Sequence, residues 1–158
     1  MRIALYQPDI PQNAGAVLRL GACLGIEVDI VEPAGFVMSD KHLKRAGMDY
    51  LDHVRYRRHA SWPAFLAALP APAPRLVLAT TNGKLAYTEF SFRADDILLF
   101  GRESAGVPED VHARCDARVV IPLRRGLRSI NVAQAAAMIV GEALRQTNLF
   151  PAEATAKS

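Results

Sequence analysis

Short apolar runs that alternate with helix-like segments constrain the fold of this chain more than any other feature. Several of these runs are apolar at nearly every position, which is typical of strands buried on both faces. Such strands occur in parallel sheets that helices cover on both sides. The sequence therefore predicts an α/β fold, a parallel sheet with helices on both faces. The predicted strands are Arg2–Tyr6, Ile26–Val31, His53–Arg57, Arg75–Thr80, Ile97–Phe100 and Arg118–Pro122.

Capping and turn residues predict the helices between these strands. Asn13 has the chemistry of an N-cap, and Gly25 lies where a helix that begins there would end. A second helix is predicted over Ser61–Leu69, because Pro63 is tolerated in its first turn. The alternation continues without a break, so we expect one domain over residues 1–150 and a short tail over 151–158. The predicted helices are Asn13–Leu24, Asp40–Ala46, Ser61–Leu69, Pro108–Arg114 and Asn131–Gln146.

Composition narrows the class of protein. Of the 158 residues, 51% are hydrophobic and 22% are charged, a balance typical of globular rather than disordered chains. Cys23 and Cys115 are far apart and the histidines lack the spacing of a zinc site, so we expect neither a disulfide framework nor a metal. Because no apolar run reaches the length of a membrane span, we expect a cytoplasmic protein with no membrane partner.

Polar segments follow the predicted strands, at the edge where open parallel sheets bind ligands. These segments cover residues 8–19, 80–83, 101–108 and 123–131. They contain neither the G-x-G-x-x-G pattern of dinucleotide-binding folds nor a P-loop, so a doubly wound redox or nucleotide-binding protein is the weakest alternative. We therefore expect one pocket built from loops that are distant in the sequence.

Three residues of these segments are candidates for chemistry. Arg19 lies in an otherwise apolar stretch, where it either forms the exposed edge of a helix or meets a ligand or carboxylate. Glu103 lies between glycines and belongs either to a simple turn or to a site. Asn131 has capping-box spacing with Gln134, so it either caps the last helix or helps to hold a polar substrate group.

Basic residues are clustered although the net charge is only +3. Tyr50, Tyr56 and Trp62 lie near two of the clusters, and cations interleaved with aromatic rings can bind phosphates and stack unpaired bases. A solvated basic surface is the alternative for each cluster alone, whereas the clusters together favour RNA as a partner. They are Lys41, Lys44 and Arg45; Arg55, Arg57, Arg58 and His59; and Arg124, Arg125 and Arg128.

Three ordered segments resemble the motifs of the SPOUT superfamily of RNA methyltransferases. Residues 35–36 and 40–50 resemble a narrower group, the tRNA (cytidine/uridine-34) 2′-O-methyltransferases, which act at the anticodon wobble nucleotide. The resemblance covers about residues 1–150. The three segments are PDIPQNAG at residues 8–15 with Arg19, LFGRESAGVP at residues 99–108, and IPL with RSINV at residues 121–123 and 128–132.

This resemblance implies a C-terminal trefoil knot, a homodimer, S-adenosylmethionine (SAM) as cofactor and tRNA as substrate. Two positions depart from the common pattern, since Arg102 replaces a proline and Ala133-Gln134 replaces a Ser-Asn pair. The residues implied to act in or shape catalysis are Arg19, Asn13, Glu103, Ser129 and Asn131. Those implied to bind the cofactor are Ala79, Gly101, Gly106, Ile121, Leu123 and Ser129. Those expected to bind RNA are Lys41, Lys44, Arg45, Arg124, Arg125 and Arg128.

The implied reaction is an in-line attack of a ribose 2′-oxygen on the SAM methyl group, in which positioning of the two reactants supplies much of the rate. Because a guanidinium stays protonated, we expect Arg19 to orient a substrate phosphate and stabilise the developing alkoxide rather than act as a base. Two alternatives stay open: a related methyltransferase acting on another tRNA or rRNA position, and a non-catalytic RNA-binding module.

Overall fold

A seven-stranded parallel sheet forms the centre of the molecule, in a computed structural model that describes residues 1–37 and 53–152. The strands are β1 (Arg2–Tyr6), β2 (Glu27–Val31), β3 (Tyr56–His59), β4 (Leu76–Ala79), β5 (Leu85–Ala86), β6 (Ile97–Phe100) and β7 (Ala117–Val120). Their order across the sheet is β3-β2-β1-β6-β4-β7-β5, and every pair is parallel. The predicted fold class is confirmed.

Helices cover both faces of this sheet because side chains along each strand alternate between the faces. Ile3 and Leu5 of β1 pack with α1 and α4 in one apolar cluster, whereas Ala4 and Tyr6 pack with α2 and α3 in another. Within residues 1–37 and 53–152, none of the helices combines the length and hydropathy needed to cross a membrane. The helices are α1 (Pro11–Leu24), α2 (Trp62–Ala67), α3 (Glu109–Arg114) and α4 (Val132–Thr147).

The start of α1 differs from the prediction. The helix begins at Pro11, and extended Ile10 occupies the N-cap position, so the prediction of Asn13 as N-cap was wrong. Proline is favoured in a first turn because its φ is already helical and its missing N–H would be unpaired there. Asn13 instead lies within the first turn of the helix and is buried. Gly25 ends the helix with a φ of 69°, as expected for a left-handed C-cap.

Two strand predictions also need correction, and one strand was missed. β3 spans Tyr56–His59 rather than His53–Arg57, because parallel pairing with β2 lets His59 Nε2 lie 2.7 Å from buried Asp29 Oδ1. β7 begins and ends earlier than predicted, and short β5 was missed because Leu85–Ala86 is too brief to give a periodic pattern. The predicted helix Asp40–Ala46, with Lys41, Lys44 and Arg45, lies outside the described residues.

Two strands are inserted between strands that precede them in the chain. β6 lies between β1 and β4, and β7 lies between β4 and β5. The turn between β4 and β5 closes tightly over β7, since a Cβ at Gly83 would lie 2.8 Å from the Val119 carbonyl carbon. These insertions bring the segments after β1, β4, β6 and β7 together at the carboxyl edge of the sheet, where ligand sites of open sheets are found.

Candidate active site

One cavity of about 550 Å³ opens at this carboxyl edge, within the usual size range of small-molecule sites. Its apolar floor includes Leu78 and Phe100 from the strand ends and Ile139 from α4, while polar loop residues line its rim. The predicted site residues that the structure brings together here are Asn13, Ala79, Gly101, Glu103, Gly106, Ile121, Leu123, Arg128, Ser129 and Asn131. Segments more than a hundred residues apart therefore share one pocket, as the sequence predicted.

A chain of hydrogen bonds links three of these segments. Asn13 Nδ2 donates to Glu103 Oε1 at 3.0 Å, and Asn131 Nδ2 donates to Asn13 Oδ1 at 2.8 Å. The second carboxylate oxygen of Glu103 accepts the backbone N–H of Asp9 at 2.8 Å. Both oxygens of Glu103 thus hold donors of the β1–α1 segment, which fits a carboxylate that fixes neighbouring groups. Glu103 lies in a turn, as one of its two interpretations stated, and this turn forms part of the cavity lining.

Asn131 caps the last helix, which is one of the two roles that its sequence left open, and it also lines the cavity. Its Oδ1 accepts the backbone N–H groups of Ala133 and Gln134 at 2.8 and 3.3 Å, so it caps α4. The same side chain donates through Nδ2 to Asn13 and lines the cavity. The N-terminal turn of α4 is therefore tied directly to the polar rim of the pocket.

The loop between β6 and α3 forms a narrow hairpin at the rim. Arg102 and Gly106 exchange backbone hydrogen bonds of 2.9 and 2.8 Å, and Gly106 has a φ of 66°. A Cβ at Gly101 would lie only 2.6 Å from the Gly106 carbonyl carbon, so residue 101 must be glycine for the hairpin to close. The resemblance implied that these glycines bind the cofactor; the structure adds a close approach of one backbone segment to another.

Asp9 holds this hairpin and was not predicted as a site residue. Its Oδ1 accepts Arg102 Nε and Nη2 at 3.3 and 3.1 Å, and its Oδ2 accepts both the backbone N–H and the hydroxyl of Ser104. The Ser104 hydroxyl, together with the Ser104 backbone N–H and the Arg102 guanidinium, holds the pKa of the Asp9 carboxyl below its usual value. Arg102 was noted in the sequence as a departure from the family pattern. An acidic residue in another loop at the same edge of the sheet was the signal that could have predicted its contact with Asp9.

Other predicted residues lie away from the cavity lining. Arg19 is exposed on α1 and is not among the described residues that line the pocket of a single chain. Arg124 and Arg125 are exposed in the loop before α4 and are not among the described residues that line the cavity. In the basic cluster on β3, Arg57 pairs with Glu27 at 3.0 Å and Arg58 pairs with Glu32, so part of its charge is neutralised locally.

Metal-ligating residues do not assemble in the described parts of the chain. Among residues 1–37 and 53–152, no group of three or more His, Cys, Asp or Glu side chains has the arrangement to hold a metal ion. The polar groups of the cavity lining are instead amides, hydroxyls, an already engaged carboxylate and guanidinium groups. Such a set suits hydrogen bonding to a polar organic ligand and attraction of phosphates.

Known relatives match nearly the whole chain. Residues 1–141 match the SpoU rRNA methylase family. A protein of Beijerinckia indica named tRNA (cytidine(34)-2′-O)-methyltransferase is 65% identical over 144 residues, covering 91% of this chain and 90% of its own. An Escherichia coli protein of the same name is 38% identical over 148 residues, covering 92% of this chain and 93% of its own.

Solved structures match the fold as well. One described as giving structural insights into the 2-OH methylation of C/U34 on tRNA superposes with a TM-score of 0.86 at 46% identity, covering 92% of this chain and 94% of that one. The SpoU methyltransferase AviRb from Streptomyces viridochromogenes, in complex with the cofactor AdoMet, superposes with a TM-score of 0.80 at 27% identity, covering 92% of this chain and 60% of that one. With the family match over residues 1–141, these likenesses establish that the chain belongs to the SpoU rRNA methylase family.

Proposed function

We propose that this protein transfers a methyl group from SAM to the ribose 2′-oxygen of the wobble nucleotide, cytidine or uridine 34, of tRNA. The observation that carries the proposal is the cavity at the carboxyl edge of the sheet, where Asn13, Glu103 and Asn131 form one hydrogen-bonded rim. The names of the relatives that match over nine-tenths of this chain support cytidine 34 as the target.

The residues of the cavity fit a SAM molecule. Gly101 and Gly106 present bare backbone, Ala79 and Ile121 contribute small and apolar surface from the ends of β4 and β7, and Leu123 and Ser129 line the far side. Apolar walls suit an adenine ring, and polar backbone suits the amino-acid part of the cofactor. When bound, SAM supplies an electrophilic methyl group on a sulfonium. A cavity of about 550 Å³ has room for such a ligand and a part of the substrate ribose.

The chain's own residues would hold and orient the two reactants. Asn13 and Asn131 place amide groups at the rim, and Glu103 keeps Asn13 in place. Arg19 would engage a phosphate of the RNA and stabilise negative charge on the 2′-oxygen, because a guanidinium cannot accept the proton. A phosphate oxygen or water is then the proton acceptor. The exposed Arg124, Arg125 and Arg128, with Lys41, Lys44 and Arg45, would attract the phosphate backbone.

A homodimer would complete the site with Arg19. This residue lies on an exposed stripe of α1 with Gln12, Ala16 and Cys23, which recur at helical spacing on one face. Met138 is 42% exposed on α4, the helix that packs beside α1. We propose that these two helices meet their counterparts in a second copy and that Arg19 serves the partner's pocket.

Mixing two inactive variants tests this arrangement. If Arg19 and Asn131 of one site come from different protomers, an equimolar mixture of co-refolded Arg19→Ala and Asn131→Ala chains should recover about a quarter of wild-type sites, because half of the dimers are mixed and each carries one intact site. If each site lies within one chain, the mixture should stay inactive. Light scattering of the wild-type protein gives the oligomeric state directly.

The proposal also includes a knotted chain path and the boundaries of the domain. The insertion of β7 between β4 and β5, followed by the return of α4 to the face that carries α1, supports a trefoil knot in the C-terminal half. Residues 1–150 would form one methyltransferase domain, with 151–158 as a tail and the cytoplasm as its location. Limited proteolysis should remove only the tail and leave a fragment that still binds SAM.

Methyl transfer to RNA is the decisive assay. Purified protein should move labelled methyl from SAM to total tRNA, and nuclease mapping should place the label on the ribose of nucleotide 34. Label in rRNA or at another tRNA position would favour the related alternative, which the family's rRNA name also suggests. Calorimetry that detects no SAM binding would favour a non-catalytic RNA-binding module.

A further inference from the structure

Asp9 contacts three successive residues of the hairpin at the pocket rim. Its carboxylate accepts hydrogen bonds from the guanidinium of Arg102 and from the backbone and hydroxyl of Ser104. Its backbone N–H donates to Glu103, the residue between them. A single side chain near the start of the sequence therefore fixes the direction of a loop more than ninety residues away.

These contacts fix the orientation of the Asp9 side chain. The carboxylate accepts donors from both sides, a guanidinium on one oxygen and a serine on the other, so rotation of the Asp9 side chain would break bonds on both. Gln7 adds a contact on the same guanidinium through its Oε1, 3.5 Å from Arg102 Nη1, and its backbone has a positive φ of 46°. A non-glycine residue with positive φ costs free energy, which is consistent with a segment that is held for function.

The effect of Asp9 reaches the pocket through Glu103. Glu103 lies between Arg102 and Ser104, the two residues that the Asp9 carboxylate holds, and its Oε1 accepts Asn13 Nδ2 at 3.0 Å. Asn13 in turn accepts from Asn131, which caps α4. Loosening the hairpin would therefore misplace the amides at the rim without removing a residue that lines the apolar floor.

We propose that Asp9 is a positioning residue for methyl transfer, acting through the Arg102–Ser104 hairpin to set Glu103, Asn13 and Asn131. This inference rests on the proposed function and concerns a residue outside the set that the family resemblance implies. Asp9 bonds Arg102 and Ser104 but takes no part in the backbone hydrogen bonds between Arg102 and Gly106 that close the hairpin beside Gly101. Loss of the Asp9 charge should therefore affect turnover more than SAM affinity, whereas a change at Gly101 would affect the cofactor surface itself.

Asp9→Asn, Arg102→Gln and the double variant test the proposal, with Arg75→Gln as the matched control. Asp9→Asn should lower kcat roughly 10- to 100-fold, because small misplacements of reacting groups have effects of that order. Its Kd for SAM should stay within about threefold of wild type. The double variant should lose no more than Asp9→Asn alone, since the two residues act through one contact. Arg75→Gln breaks another Arg–Asp pair, at the opposite edge of the sheet, and should lower Tm with kcat unchanged.

Two results would overturn the proposal: a kcat of Asp9→Asn within threefold of wild type, or a loss of kcat in Arg75→Gln equal to that in Asp9→Asn. If the wild-type protein fails to methylate tRNA, the proposed function fails separately, and NMR then decides the positioning role. The side-chain amide resonances of Asn13 and Asn131 should shift in Asp9→Asn and not in Arg75→Gln. Unchanged resonances in Asp9→Asn would refute the role of Asp9 whatever the substrate.

Discussion

Two arginine–aspartate pairs lie at opposite edges of the sheet and differ in almost every respect. At the amino edge, Arg75 makes two bonds of 2.8 Å to Asp96, whose side chain is 0% exposed, and its guanidinium lies 5.0 Å from the centre of the Phe90 ring. At the carboxyl edge, Arg102 contacts Asp9 at 3.1 and 3.3 Å and keeps 40% of its side chain exposed.

The difference separates structural support from function. The amino-edge pair is shorter and less exposed, and Asp96 also accepts the backbone N–H of Arg93 at 2.8 Å, so the hydrogen-bonding capacity of Asp96 is used within the fold. The carboxyl-edge pair lies on a cavity and holds a loop whose next residue, Glu103, shapes the rim. A charge pair that is partly open to a pocket stabilises less and is better suited to orienting groups for a ligand.

The largest expected effect on activity comes from the centre of the rim network. Glu103→Gln keeps the shape of the side chain but replaces one acceptor oxygen with an NH2 group, which would face either Asp9 N–H or Asn13 Nδ2. We expect kcat to fall by about a hundredfold or more, as for loss of other preorganised polar groups. Single-turnover methylation measures this effect, and calorimetry with SAM is the control. A variant with wild-type turnover would show that the rim network does not serve catalysis.

Local patterns predicted the strands better than they predicted this network. Buried runs such as Ile97–Phe100 were located to the residue, because continuous burial leaves a clear apolar sequence. The edge strand Tyr56–His59 was placed too early, since its YRRH sequence is polar and its limits depend on pairing with β2. The local sequence identifies the strands of the apolar core, whereas tertiary contacts determine where exposed strands begin and end.

The site was predicted through its motifs more than through its contacts. The motifs identified Asn13, Glu103 and Asn131 as members of one pocket, but sequence alone assigned Asn13 to a helix cap. Its contacts with Glu103 and Asn131 span 90 and 118 residues, and no local spacing encodes such pairs. Asp9 was missed for the same reason, because its partner Arg102 is 93 residues away.

Breaking the amino-edge pair should lower stability and leave kcat unchanged, the opposite of the effect expected at the rim. Asp96→Asn removes the acceptor carboxylate from a fully buried position and leaves the partly exposed Arg75 guanidinium without its ion pair, and we expect a loss of about 2–4 kcal/mol in the free energy of unfolding. Chemical denaturation measures the loss. The kcat of the folded protein at a temperature well below its Tm should stay at the wild-type value, and a large decrease there would remove the distinction between the two edges.

Adding a methyl group at Gly101 of the hairpin should lower both SAM affinity and stability, each by a moderate amount. Gly101→Ala places a Cβ 2.6 Å from backbone atoms of Gly106, so the hairpin must open. We expect the Kd for SAM to rise about tenfold, with a loss of about 1–3 kcal/mol in stability from overpacking. Calorimetry and denaturation report the two quantities separately. Gly141→Ala on α4 is the matched control, because a Cβ there meets no atom within 4 Å in the described chain.

The smallest effect is expected at an ion pair that belongs to neither edge. Glu142 on α4 accepts two bonds of 2.8 Å from Arg145 and one of 2.8 Å from Gln146, and these donors lower the pKa of its carboxyl to about 2. A carboxyl whose pKa is lower in the folded state stabilises above its unfolded pKa, and that contribution disappears as pH falls toward about 2. Because Arg145 keeps 68% of its side chain exposed, solvent and salt should screen the interaction strongly.

Glu142→Gln should therefore leave Tm at neutral pH within about 1 °C of wild type, and turnover unchanged. The two proteins should converge in thermal melts as pH falls to about 2, where the wild-type carboxyl takes up its proton in the folded state. A large fall in Tm at neutral pH would mean that Gln146, which also bonds Phe90 O and Phe92 N, depends on Glu142 to hold the segment before β6. In that case the contribution of an ion pair to stability would depend on the loop that the pair anchors rather than on how deeply the pair is buried.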